Sequence, residues 1–310
     1  MLPIFFQKII CCPHCQKELV ISQESLHCLS CQKSYPLIKG IPIFENTDLN
    51  QCQPLDNVPA ENPFRYALHF WLYKKYLWQY LKPQANDVIL DIGCGLGHCL
   101  DFLSKFSKNL VGLDTDLPPL LFAKTASQAD YVLGRGEKMP FFKDNTFNKI
   151  ISFVVLEHIE DDRAAIQEMR RVGKNKATAL IMVPALEGPR VRSKERKLLH
   201  KNGGGKHFRD GYYQEEIKDL LNDGGIRVLA IRHTMFICSE LFMEFSRIVY
   251  SKKYKTYSRQ TDWFKICNGK LFSLYKILSP LIGSLALLED WLFSWSKKGH
   301  MIVVKGEIQK

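Results

Sequence analysis

Two C-x-x-C pairs lie near the start of the chain, Cys12 with Cys15 and Cys28 with Cys31, with twelve residues between the pairs. Each pair aims two thiolates at one point, and two such turns complete a tetrahedral sulfur site of the kind that holds zinc. Four protein ligands leave no open position, so the site reads as structural rather than catalytic. A second stretch able to do chemistry is VILDIGCGLGHCL, Val88 to Leu100. Gly93, Gly95 and Gly97 alternate behind Asp91, which lets the backbone turn tightly and approach a ligand closely. Asp114 ends the next apolar run, NLVGL, and an acid at such a strand end can accept bonds from ribose hydroxyls. The spacing is G-x-G-x-G, not the G-x-G-x-x-G of dinucleotide binders, and no phosphate loop with its Lys-Ser/Thr follows.

Further on stand His158, within LEHI, and His207, Arg209 and Tyr212, within HKNGGGKHFRDGYYQ. His158 offers an imidazole that titrates near neutrality and can serve as a general base. The competing reading is a histidine that caps a strand end. His207 is grouped with it as a catalytic candidate. Arg209 can pair with a substrate carboxylate or phosphate, and Tyr212 is a candidate acceptor contact. The competing reading of that stretch is a basic surface loop, with Gly203 to Gly205 as a mobile lead-in.

These groups need elements to hold them. Val88-Ile89-Leu90, a glycine turn and a helical pattern from His98 to Phe106 give strand, turn and helix, the opening of a Rossmann-type crossover. Strands follow at Leu110–Leu113, at YVL, at Phe147–Val155 and at ATALIMVP, with a helix over Asp161–Val172. The fold class expected is α/β, a Rossmann-like, doubly wound, mainly parallel sheet. It carries a small N-terminal zinc ribbon and a helical insertion near the C-terminus. The domain plan is a ribbon over 1–46, a linker and helix over 47–82, and the main domain over 83–310. Within the main domain, 234–299 is the insertion between a sixth strand, IRVLAIRH, and a last strand near 300–308. Phe64 to Leu81 reads as one helix with a broad apolar face. The longest apolar run of the insertion, ILSPLIGSLALL, has about twelve residues with Pro280 and Gly283, too short to span a bilayer.

The ribbon alone, at about 45 residues, can barely bury a core of its own. Zinc binding contributes roughly 10–16 kcal/mol of folding free energy in such modules. The ten cysteines of the 310-residue chain are otherwise scattered, which favours a reducing compartment over a secreted disulfide scaffold. MLPIFFQKIICC has no basic n-region and no small-residue cleavage site, so it does not read as a signal peptide. The formal net charge is +11, concentrated in Arg190–Asp210 and Arg247–Lys276, each with eight Lys/Arg and at most two acids. Such a surface can meet phosphate in RNA or in a lipid headgroup.

The succession LDIGCGLG, VGLDTD, LGRGEKMPF, DNTFNKIISFVVLEHIED and MRRV…ALIMVP resembles the motifs of class I S-adenosylmethionine-dependent methyltransferases. The quinone-biosynthesis enzymes are the closest subgroup, and the resemblance is close over Asn86 to Pro184. The segment ending YPLIKGIPIF resembles small zinc ribbons that precede such domains. The resemblance implies that Asp91, Gly93, Gly95 and Gly97 line the methionine and ribose side of S-adenosylmethionine. It implies that Asp114 holds the ribose hydroxyls and that Gly136 and Glu137 flank the adenine. Phe153 then offers backbone contacts near the methionine, and His158 sits at the pocket mouth. Arg135 departs from the family, which often has an acid there; an arginine cannot accept the adenine amino group's bond. It can stack on the ring instead, with Glu137 or a backbone carbonyl as acceptor. GKNKA replaces a Pro-Gly-Gly turn and reads as a change of loop shape only.

The expected function is methyl transfer to a small-molecule or lipid-like acceptor in the cytoplasm, with peripheral contact at the inner membrane as an option for the basic, aromatic C-terminal third. An RNA base methyltransferase, of the zinc-ribbon rRNA type, is the alternative, and a non-catalytic zinc-ribbon adaptor is the third reading.

Overall fold

The structure is a computed structural model that describes residues 2–45, 62–188, 207–254 and 270–310. Most of the linker, the Gly203–Gly205 run and much of the two basic segments lie outside the described residues.

The ribbon begins with helix α1 (Ile4–Ile9) and continues as four short antiparallel strands, β1 (Val20–Ile21), β2 (Ser25–His27), β3 (Ser34–Ile38) and β4 (Ile41–Pro42). After it come a 3-10 turn at Pro63–Tyr66, helix α2 (Leu68–Tyr76) and a π turn at Leu77–Leu81. The single helix expected over Phe64–Leu81 is thus three pieces. The extended Ala67 separates the first two, and Lys82 in a left-handed conformation ends the third.

The main sheet has seven strands: β5 (Val88–Ile92), β6 (Asn109–Asp114), β7 (Asp130–Leu133), β8 (Phe147–Phe153), β9 (Gly173–Pro184), β10 (Ile226–Thr234) and β11 (Met301–Ile308). Their order is β10-β11-β9-β8-β5-β6-β7. Neighbours from β9 to β7 run parallel, and β11 is antiparallel to both β9 and β10. Strands β5 and β7 are buried along nearly their whole length, which is why VILDI and DYVL are mostly apolar without alternation. The edge strand β10 has one open face and alternates. GKNKA belongs to β9 and is not a loop. Between Phe147↔Gly173 and Lys149↔Thr178 the register slips, so these residues bulge from the strand, with Lys176 at φ 64°.

Helices α3 (His98–Leu103), α4 (Leu117–Ala126), α5 (Asp162–Val172) and α6 (Gln214–Asp223) pack on the sheet. One core holds Ile166, Met169, Ile217 and Leu221 of α5 and α6; the other holds residues of α2, α3 and α4. Asp161 caps α5 by accepting the Ala164 amide at 2.9 Å, as its position before the apolar repeat leads one to expect. The crossover from β7 to β8 has no helix of its own. There Phe6 of α1 and the following Ile10 pack into the same core as Phe141, Phe142 and Phe147, so the ribbon supplies the missing layer.

The excursion between β10 and β11 holds helix α7 (Ile237–Tyr254) and helix α8 (Lys270–Leu292). The apolar run ILSPLIGSLALL is part of this helix of 23 residues, which continues through Pro280 and is long and apolar enough to cross a membrane by length and composition. The run alone, with Pro280 and Gly283 in it, suggests a shorter element.

Candidate functional site

The glycine turn leaves β5 at the carboxyl end of the sheet, where β5 lies between β6 and β8 and the strand order reverses. Gly93 has φ 71°, and a Cβ built on it would lie 2.2 Å from Val155 Cγ2. Gly97, the residue before α3, has φ 72° and a Cβ there would lie 2.6 Å from the Tyr131 hydroxyl. Neither position accepts a side chain. The amides of Gly93 and Cys94 both donate to the Leu113 carbonyl, which ties the turn to β6. The Gly95 amide donates to Asp114 Oδ2 at 2.7 Å, and the Asp116 amide donates to Oδ1 at 3.1 Å.

Two carboxyls meet at this turn. Asp91 is buried, and burial, with the nearby Asp114 charge, lifts its pKa well above the ordinary range. Burial raises Asp114 too, against the pull of its amide bonds. Two adjacent buried acids favour a positively charged ligand. The sulfonium and ammonium of S-adenosylmethionine meet that demand, so the donor set fits this cofactor. Cys94 and Cys99 are buried here and act as small packing residues.

An aromatic wall stands beside the acids. Phe153 packs on Tyr73 at 4.8 Å between centroids, and His98 stacks with Phe64 at 5.5 Å and with Tyr73 at 6.0 Å. Burial pushes His98 down to about 3 and His69 down to about 4, so both rings are neutral. His98 Nδ1 has no hydrogen-bond partner.

Past Phe153 the chain turns sharply. Val154 takes φ 59°, a left-handed conformation that costs a β-branched residue on the order of 1–3 kcal/mol. A 3-10 turn over Leu156–His158 follows. Its Glu157 is fully buried, neither carboxyl oxygen has a hydrogen-bond partner, and burial pushes it up to about 8. The Glu157 carbonyl accepts the amides of Phe208 (3.0 Å) and Arg209 (3.4 Å), which brings the two sequence-distant histidines together. The His158 and His207 rings lie 4.0 Å apart.

Arg209 and Tyr212 are placed differently from the expectation. Arg209 forms an ion pair with Asp162 and donates to the Glu160 carbonyl. Tyr212 is fully buried in the core, and its hydroxyl donates to Asp162 at 3.0 Å. Both side chains help hold the 207–213 stretch to α5, and Tyr212, expected as an acceptor contact, lies in the core. Its aromatic bulk, beside Ala185 in a strand-like bridge, explains the burial. On the opposite side of the turn Gly136 lies against Ile92, and Arg135 Nε donates to Glu137 Oε1 at 2.7 Å. That ion pair holds the Arg135 guanidinium and the Glu137 carboxylate to each other.

The four ribbon cysteines converge. Their sulfurs all lie within 4.8 Å of one another, with Cys12–Cys31 at 3.6 Å and Cys15–Cys28 at 3.4 Å. Tetrahedral zinc–thiolate geometry places sulfurs about 3.8 Å apart, so the set fits zinc. Both knuckles share one hairpin: Gln16 and Gln32 take φ 61° and 59°, and their amides donate to Cys12 and Cys28. The repeated CxxCQK in the sequence carries that symmetry. His27 is held between Ser25 and Ser34 and stands apart from the cluster.

With this geometry in place, comparison with known proteins bears on the central segment. Residues 90–181 match the methyltransferase domain family. That segment is therefore similar to a methyltransferase domain, and the sheet around it has the Rossmann-like methyltransferase fold. It is 40% identical over 91 residues to the uncharacterized protein MJ1252 of Methanocaldococcus jannaschii, covering 29% of this chain and 34% of that one. It is 28% identical over 104 residues to the ubiquinone biosynthesis O-methyltransferase of Aliivibrio fischeri, covering 31% and 44%. The matches thus span less than half the length of these curated relatives. Among solved structures, Haemonchus contortus phosphoethanolamine N-methyltransferase 2 in complex with S-adenosyl-L-methionine shares the fold. The TM-score is 0.50 at 14% identity, over 77% of this chain and 52% of that one.

Glu157, His98 and Tyr73 are not singled out by the sequence, whereas Phe153 is, for its backbone rather than its ring. An acid inside the apolar run FVVLEHI was the available signal for Glu157.

Proposed function

We propose that this protein transfers the methyl group of S-adenosylmethionine to a small-molecule or lipid-like acceptor. The observation that carries the reading is the Gly95–Asp114 bond, which closes the glycine turn onto the acid at the end of β6. In this reading Asp91, Gly93, Gly95 and Gly97 line the methionine and ribose side, and Asp114 accepts from the ribose hydroxyls. Gly136 and Glu137 flank the adenine, with Arg135 orienting the Glu137 carboxylate rather than stacking on the ring. Phe153 and Tyr73 form the wall by the methionine.

The bound cofactor supplies an activated methyl on a sulfonium, so the protein's task is alignment, worth roughly 7–11 kcal/mol of barrier. His158 and His207 stand together as the pair that accepts a proton where the acceptor is a hydroxyl. Likeness to a ubiquinone biosynthesis O-methyltransferase supports an oxygen acceptor of the quinone-precursor kind. Zinc on Cys12, Cys15, Cys28 and Cys31 is structural, and a reducing, cytoplasmic setting suits those thiolates.

Calorimetric titration tests the cofactor assignment. Wild-type protein is expected to bind S-adenosylmethionine, and Asp114→Asn is expected to weaken binding about tenfold or more, the loss of charged hydrogen bonds worth about 1.5–3 kcal/mol. Absence of wild-type binding, or full affinity in Asp114→Asn, refutes it.

A further inference from the structure

Helix α8 is inverted relative to an ordinary surface helix. Its two acidic residues and Ser279 point inward. Asp290 is 1% exposed and accepts from Lys75 (2.5 Å), Tyr76 (2.8 Å) and Thr234 (2.5 Å). Glu289 accepts the amides of Cys238 and Ser239 at 2.6 and 3.0 Å. Ser279 bridges Trp71 and the Tyr66 carbonyl, and Gly283 lies under the Trp71 ring. Its large apolar residues point outward: Ile277, Leu281, Leu285, Leu288 and Trp291 are 49–76% exposed and recur every three or four residues. Trp295, 78% exposed, extends the row past the helix end.

We propose that this outer face docks on an anionic lipid bilayer and lies in its interface. A row of this kind from Ile277 to Trp291, about 21 Å of helix, exceeds the scattered apolar residues of a soluble surface. The exposed part of α8 carries no acidic side chain, because Glu289 and Asp290 are both buried. Beyond it, exposed Lys297 and Lys298 follow the aromatic cluster of Trp291, Phe293 and Trp295. Aromatic rings sit at headgroup level and lysines reach anionic headgroups, so this order of residues matches a membrane interface. A chain with net charge +11 adds to that attraction. The same contacts argue against a span: crossing would strip Asp290 and Glu289 from their partners and place two carboxylates in hydrocarbon. A bare apolar face with no charge pattern would equally suit a second copy of the chain; the flanking lysines favour the lipid.

The surface is independent of the methyl-transfer reading, and so is its test. Full-length protein is mixed with phosphatidylcholine vesicles with and without phosphatidylglycerol, then sedimented. Wild type is expected to sediment with the anionic vesicles, and brominated lipid is expected to quench its tryptophan emission. Ile277→Glu/Leu285→Glu alters two exposed positions and is expected to reduce retention by at least roughly tenfold. Lys297→Glu/Lys298→Glu is expected to lose the anionic preference. Wild type left in the supernatant, emission untouched by brominated lipid, or retention unchanged in Ile277→Glu/Leu285→Glu overturns the proposal. So does a dimer in solution that the same double substitution converts to monomer. If that variant fails to fold, wild-type quenching decides alone.

Discussion

Glu157 shows what a single side chain can hide from a sequence. Its position within LEHI is plain, yet its surroundings include 207–213, whose amides reach its main-chain carbonyl from about fifty residues away. Tyr212 is the converse case: the sequence suggests an acceptor contact, and the residue lies in the core with its hydroxyl on Asp162. The glycines and Asp114 were legible because their spacing follows from local backbone geometry. The raised pKa of Glu157 has a definite consequence. A carboxyl whose folded pKa, about 8, exceeds its unfolded value near 4.5 binds more protons folded than unfolded between those limits. Stability from this group therefore falls as pH rises from about 4.5 to 8. Glu157→Gln is expected to flatten that slope and to exceed wild type in stability at pH 8, by on the order of a few kcal/mol. Urea unfolding of both proteins across this range checks it; parallel pH profiles would refute it.

At the level of elements, strands with apolar runs and the capped α5 were legible because each is decided within ten residues or so. What was not legible depended on partners. GKNKA joins β9 because Gly173 finds Phe147, and α8 runs through Pro280 because α2 and the end of β10 hold it. The ribbon is bound to the β7 side of the sheet in the same partner-dependent way. Ile43 bridges Leu133 at the edge of β7, the Cys11 amide donates to the Phe141 carbonyl, and Phe44 stacks on Phe141 at 4.8 Å. The 139–142 segment follows Glu137 directly, so the cysteine centre supports the adenine side of the proposed pocket. Cys28→Ser is expected to lower zinc content and to speed amide exchange in 134–142. It should also weaken S-adenosylmethionine binding without touching Asp114. Unchanged exchange in that segment would separate ribbon from pocket.

For the molecule as a whole, the doubly wound sheet followed from the order of its motifs, while the way α8 is fastened did not. Asp290 is the fastening: it joins α8 to α2 through Lys75 and Tyr76 and to β10 through Thr234. Asp290→Ala leaves the Lys75 charge, 15% exposed, without its partner, and loss of one member of such a pair costs about 3–5 kcal/mol. The expected result is a lower melting temperature with the cofactor contacts intact, and a melting temperature equal to wild type would contradict it. The position of β11 carries a further consequence, for the order in which the molecule is assembled. This strand, drawn from residues 301–308, lies inside the sheet between β9 and β10. On a ribosome, β5 to β9 can pair as they emerge, but β10 has no neighbour until residues past 300 are free. It must wait through the synthesis of α7 and α8, whose outward leucines are exposed throughout that interval. Completion of the sheet is thus a late, long-range closure, and the apolar excursion is the part of the chain most in need of protection before it happens.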